Sequence, residues 1–127
     1  MSQPRRFVIL THDHPFLHWD FMLESGDVLR TWRLEREPQS GVDFRATELP
    51  DHRRMYLDYE GPVSGDRGTV RRWDAGTYSI SGESSNELTI DIAGEHTCGT
   101  ITLRKTDVAD EWTFVLREPT SDGRWSR

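Results

Sequence analysis

Apolar and polar residues alternate with a period of two along much of this chain, most plainly in Asn86-Glu87-Leu88-Thr89-Ile90-Asp91-Ile92 and in Leu17-His18-Trp19-Asp20-Phe21-Met22-Leu23-Glu24. Successive side chains of a strand point to opposite faces, so such segments read as strands with one face toward a core. Alternation together with β-branched and aromatic enrichment predicts strands over 6–11, 16–24, 28–34, 44–48, 69–74, 76–81, 87–92, 100–105 and 111–116. Ser25-Gly26-Asp27 marks a hairpin turn, and Asp74-Ala75-Gly76 reads as a second turn. Helical periodicity is scarce. The stretch Asp51-His52-Arg53-Arg54-Met55-Tyr56 is a short helical turn or a loop, and the segments 36–41 and 62–68 are loops rich in turn residues. So many short strands favour an all-β fold, a small closed or nearly closed β-barrel with short helical turns in its connections, because closure removes exposed edges. A sandwich of two sheets is the alternative architecture.

The chain has 127 residues, 34% of them hydrophobic, which suits a single domain over 1–127 with one core. The tail after Pro119 has little to pack except Trp125 and is expected to fray. No apolar run approaches the roughly 18 residues that cross a bilayer, and the start lacks the apolar stretch of a signal peptide, so a cytoplasmic protein without membrane contact is expected. The single cysteine, Cys98, excludes an internal disulfide and a thiolate metal cluster, so a metal site must draw on His, Asp and Glu. Cys98 itself reads as a small buried hydrophobe. A net charge of −6 argues against a broad grip on nucleic acid, which rests on neutralised phosphates, but leaves room for a local basic groove.

The strand at 16–24 carries two unlike faces. Leu17, Trp19, Phe21 and Leu23 form an apolar face that reads as core, whereas His18, Asp20, Met22 and Glu24 share the other. His18 and Asp20, about 7 Å apart along the strand, can converge on one cation, and His12 in the preceding turn can be a third ligand. Two imidazoles and a carboxylate leave coordination positions open for water and substrate, as in a catalytic site. Each residue alone has a plainer reading. A lone surface histidine is solvated, a His–Asp pair on a strand can be a satisfied polar pair, and Arg53-Arg54 or Arg71-Arg72 are more often solvated faces than nucleic-acid contacts.

Four segments taken together change that weighing: THDHPFLHWDFMLE, VLRTWRLEREP, LPDHRRMYLDYEG and GTVRRWDAGTY. In order and spacing they resemble the 3′-phosphoesterase module of bacterial DNA ligase D and its stand-alone relatives, whose hallmark is KHDxxxLHYDFRLE, a Gly-Val-Leu-Lys-Ser-Trp strand, DHPxxYxxFEG and GTVxxWDxGTY. The likeness runs from about Arg6 to Arg117. It implies a β-barrel that uses a divalent metal, manganese by preference, to remove a terminal ribonucleoside and then the remaining 3′-phosphate from nucleic-acid ends. By the same resemblance His12, His18 and Asp20 fall on metal ligands, His52 on a histidine that contacts the scissile phosphate, and Tyr56 on a tyrosine that supports it. Trp32, Trp73, Gly76 and Tyr78 match further positions, the last three expected to be structural. Arg36 takes the place of a lysine in a Pro-Lys-Gly segment, and Met22 stands where the family has a phosphate-holding arginine. A thioether cannot donate to a phosphate oxygen, so Arg36, Arg53 or Arg54 are the candidates to replace that charge.

The expected activity is therefore a metal-dependent phosphoesterase acting on the 3′ end of DNA or RNA-tipped DNA in end repair, beside a repair ligase or polymerase. The expected cofactor is manganese, with zinc, cobalt or nickel acceptable to the same donors. His52 and Tyr56 are the candidate catalytic pair, His12, His18 and Asp20 the metal ligands, Arg36 and Arg54 the substrate cations, and Glu24 a residue that orients a ligand histidine from behind. Two rivals remain open because of Met22: a noncatalytic module that binds a nucleic-acid end or a repair partner, and a phosphoesterase for a different phosphorylated substrate.

Overall fold

The alternating segments become nine strands in a computed structural model that describes residues 4–119. They are β1 (Arg5–His12), β2 (His18–Ser25), β3 (Val28–Leu34), β4 (Phe44–Arg53), β5 (Gly61–Pro62), β6 (Thr69–Glu83), β7 (Glu87–Gly94), β8 (Cys98–Lys105) and β9 (Glu111–Arg117), with a 3-10 turn over Arg54–Leu57. Hydrogen bonding runs β1-β2-β3-β4-β9-β8-β7-β6 and returns from β6 to β1, closing an eight-stranded antiparallel barrel, with the two-residue β5 added on β6. Two meanders, β1–β4 and β6–β9, are thus joined by the 54–68 connection, which runs over the outside of the barrel. Closure leaves the barrel wall no free edge.

The lumen is filled. Phe21, Trp32, Phe44, Trp112 and Phe114 meet there in edge-on, tilted and stacked pairs with ring centroids 5.0–6.0 Å apart, among aliphatic residues of every barrel strand except β6, which contributes Tyr78. A substrate therefore has no room inside and any site must lie on the outer wall or the rim. On the outer wall of β1, β2, β3 and β6, a second apolar cluster of Val8, Leu10, Met22, Leu29, Val70 and Ala75 is capped by Leu57 of the 3-10 turn, with Tyr56, Tyr59 and Val63 around it. Leu57 pins the connection to the wall.

Several expectations need correcting. The predicted turn at Asp74-Ala75-Gly76 does not exist: β6 runs unbroken for 15 residues, bulged where it passes β1. Gly76 is needed there because a Cβ would fall 2.0 Å from the Ala93 carbonyl oxygen of β7, a close-approach requirement that mimics a turn signal. Strand β4 continues five residues past Glu48, and β5 lies at the edge of what read as the 62–68 loop. Leu17 is 56% exposed rather than core, while Phe21 and Leu23 are buried as expected. Cys98 is exposed at the start of β8, not buried. The tail after Pro119, with Trp125, lies outside the described residues. Among the described residues no helix is long and apolar enough to cross a membrane.

Candidate functional site

The outward face of the β1–β2 hairpin carries the polar residues singled out in the sequence. In register, His12 pairs with His18 and Leu10 with Asp20, so the three side chains share one patch at the end of the outer apolar cluster. His18 is 1% and Asp20 3% exposed. One donor atom from each of His12, His18 and Asp20 lies within 4.8 Å of the others.

The hydrogen bonds decide which donor atoms are bare. His12 Nε2 donates to the Arg67 carbonyl at 2.7 Å, and His18 Nδ1 donates to the Phe16 carbonyl at 2.9 Å. A carbonyl can only accept, so those two nitrogens carry the protons. The opposite nitrogens, His12 Nδ1 and His18 Nε2, face the Asp20 carboxylate, at 3.4 Å and 3.2 Å from its two oxygens, and in the neutral rings they present lone pairs to it. His18 Nε2 and Asp20 Oδ1 are buried without any hydrogen-bond partner. Buried electron pairs facing one another are costly without positive charge between them, and a divalent cation held by all three residues would supply it.

Beside this cluster opens a cleft of about 470 Å³. It is lined by His12 and Asp20 of the cluster, by Met22, Arg33 and Leu49 of the neighbouring strands, by His52, Arg53 and Tyr56, and by a wall of Val63, Ser64 and Arg67 from the 54–68 connection. His52 reaches it because β4 bulges against β3: Leu49 pairs with Thr31 and His52 with Leu29, so one extra residue near Pro50 keeps both side chains on the outer face. His52 Nδ1 donates to the Pro50 carbonyl at 2.9 Å, leaving Nε2 free. Tyr56 packs edge-on against the His52 ring, 6.2 Å between centroids. Its support is therefore steric, while the Pro50 carbonyl fixes the tautomer.

Gly68 holds the wall from the 54–68 connection. Its φ of +79° is a conformation that side chains rarely adopt, and a Cβ would stand 2.3 Å from Asp13 Oδ1, which itself accepts the Thr69 N–H at 2.7 Å. That close approach places the Arg67 carbonyl against His12. His14, unassigned in the sequence, also lines the cleft, its ring 6.5 Å from that of His12.

Three other residues lie elsewhere than expected. Glu24 does not reach a ligand histidine: its carboxylate accepts the Arg6 N–H at 3.0 Å and pairs with Arg54. Burial pushes the Glu24 carboxyl up, but the Arg6 N–H, the Arg54 hydrogen bond and both arginine charges outweigh it and hold it below the usual carboxylate range. Arg54 is thereby turned from substrate to scaffold, and with the Arg6–Asp58 pair it ties the 3-10 turn to β1 and β2. Arg36 sits exposed after β3 and is not among the residues lining the cleft. Met22 does border the cleft but is 1% exposed, packed under Leu57 instead of pointing freely at a ligand.

The chain is 28% identical over 123 residues to the multifunctional non-homologous end joining protein LigD of Pseudomonas aeruginosa, covering 87% of this chain and 15% of that protein. It is 30% identical over 115 residues to the LigD proteins of Mycobacterium bovis and Mycobacterium tuberculosis, covering 84% of this chain and 15% of each. The chain thus spans about one-seventh of the length of these relatives. The DNA Ligase D 3′-phosphoesterase domain matches residues 10–116, a range that holds the barrel strands from late β1 to β9 and every residue of the cleft, and so the chain belongs to that family.

Proposed function

We propose that this protein is a divalent-metal phosphoesterase that trims the 3′ end of DNA or RNA-tipped DNA during end joining, in the cytoplasm and beside a repair ligase or polymerase. The observation that carries the reading is the convergence of three potential metal donors, His12 Nδ1, His18 Nε2 and an Asp20 oxygen, beside a cleft that His52 also lines. Manganese is the proposed ion, since imidazole and carboxylate donors suit it and zinc, cobalt and nickel alike, and the resemblance favours it. Held by His12, His18 and Asp20, it would polarise a phosphate oxygen and acidify a bound water.

The remaining steps belong to the chain itself. The Pro50 carbonyl fixes His52 with Nε2 facing the cleft, where its protonated form can donate to a phosphoryl or leaving oxygen. The Arg67 and Phe16 carbonyls fix the two ligand rings, so neither histidine must reorient when charge arrives. The apolar cluster around Met22 and Leu57 excludes water from one side of the cleft and strengthens charge interactions within it.

The test is phosphate release from a 3′-phosphorylated primer with manganese, with chelator, and with His52→Ala. Expected is chelator-sensitive release that falls by roughly a hundredfold or more in His52→Ala while manganese affinity stays unchanged. Metal-loaded, folded protein that binds the primer without turnover would overturn the enzyme reading in favour of a binding module. Faster release from small phosphomonoesters than from the primer would move the substrate away from nucleic acid.

A further inference from the structure

Three arginines line the cleft, Arg33, Arg53 and Arg67, with Arg54 next in the chain, and the structure distinguishes the four by what already holds each guanidinium. Arg54 is held by Glu24. Arg67 donates from Nε to the Ser64 carbonyl at 2.7 Å and from a terminal nitrogen to Ser64 Oγ at 3.2 Å, which commits it to its own loop. Arg53 is exposed on the lip. Arg33 differs from all three. It projects from the outer face of β3, in register with Asp20 of β2, and its Nε is buried without a hydrogen-bond partner. Asp20 turns its oxygens to His12 and His18 instead, and among the described residues Arg33 makes no ion pair. Next to it, Met22 can donate nothing.

We infer that Arg33 is the phosphate-binding residue of this cleft, gripping the terminal 3′-phosphate of the substrate beside the His12–His18–Asp20 cluster. This rests on the proposed function for the identity of the ligand. A guanidinium presents five donors in a planar fork that matches two phosphate oxygens, and with one donor already dehydrated it loses little by accepting that anion. Its place opposite Asp20 sets it next to the ligand cluster, so one phosphate can touch both. His52 lines the same cleft, so a phosphate held by Arg33 shares it with a group able to donate a proton.

The test compares wild type, Arg33→Gln and Arg33→Lys in three measurements: manganese affinity, the binding preference for a 3′-phosphorylated over a 3′-hydroxyl oligonucleotide, and steady-state phosphate release across salt concentrations. Arg33→Gln should keep manganese affinity, lose the preference for the 3′-phosphate, and lose roughly ten- to a hundredfold in kcat/KM with KM carrying much of the change. Arg33→Lys should restore part of it, since charge returns without the fork. The salt dependence of KM should flatten in Arg33→Gln. A folded Arg33→Gln protein with undiminished 3′-phosphate preference would overturn the assignment, as would a wild type with no such preference. A wild type that prefers the 3′-phosphate but releases none would refute the enzymatic reading and leave Arg33 to be judged by binding alone.

Discussion

The two faces of strands β1 to β3 do unlike work from adjacent residues. Facing the lumen, Phe7, Ile9, Phe21, Leu23, Trp32 and Leu34 pack into a closed apolar core; facing outward, His12, His18, Asp20 and Arg33 gather beside a cleft with polar atoms left unpaired. The inner face packs against itself, and the outer face is where the proposed metal and phosphate would bind. A wall of one strand's thickness thus separates the residues that create stability from those that spend it on a site.

The sharpest way to break this comparison is to substitute neighbours on β2. Phe21→Ala should cost about 3–5 kcal/mol, since it empties the middle of the aromatic cluster. Asp20→Ala should abolish manganese binding yet shift the stability of metal-free protein by no more than about 1 kcal/mol. Urea unfolding of both, with manganese titrations, checks the pair; unfolding of metal-free Asp20→Ala would show that the outer face is structural after all. A smaller effect is expected at Gly68, where Gly68→Ala forces a strained φ and crowds Asp13, at about 1–3 kcal/mol. Because the Arg67 carbonyl moves with it, manganese affinity should fall although no ligand has changed, which a calorimetric titration would register.

The smallest effect lies at the anchor of the 3-10 turn. The Glu24 carboxyl is held below its ordinary range, so its contribution to stability is fully present above that range and is lost as pH falls through the depressed value. Glu24→Gln should therefore be less stable than wild type at neutral pH by under about 1 kcal/mol, with the difference vanishing in acid. Chemical unfolding at several pH values measures it, and a difference that grows toward acid would reverse the sign argued here.

Much of this was legible along the chain because alternation is a local property. Leu88, Ile90 and Ile92 announce their face without knowledge of any partner strand, and so do Phe21 and Leu23. His12, His18 and Asp20 were legible for the same reason, as they lie on one hairpin. Arg33 was not singled out, although a signal existed. The turn at Gly26-Asp27 pairs Ser25 with Val28, and continuing that register puts Arg33 opposite Asp20. Glu24 and Arg54 misled because an exposed arginine and a nearby carboxylate can find each other across 30 residues, which spacing does not reveal. The unbroken β6 misled because Gly76 answers to the backbone of β7 and not to its own.

The order of the two meanders has a consequence for how such a barrel can diverge. The side chains assigned to chemistry here, from His12 to His52, belong to the first meander, and the 54–68 connection that follows supplies Tyr56, the Arg67 carbonyl and one wall of the cleft. Strands β7, β8 and β9 contribute nothing to the cleft lining. Their inward positions need only remain apolar and of fitting volume. A lineage can therefore rewrite β7 to β9 broadly, or lengthen the connection to reach a different end structure, while the first half keeps its chemistry.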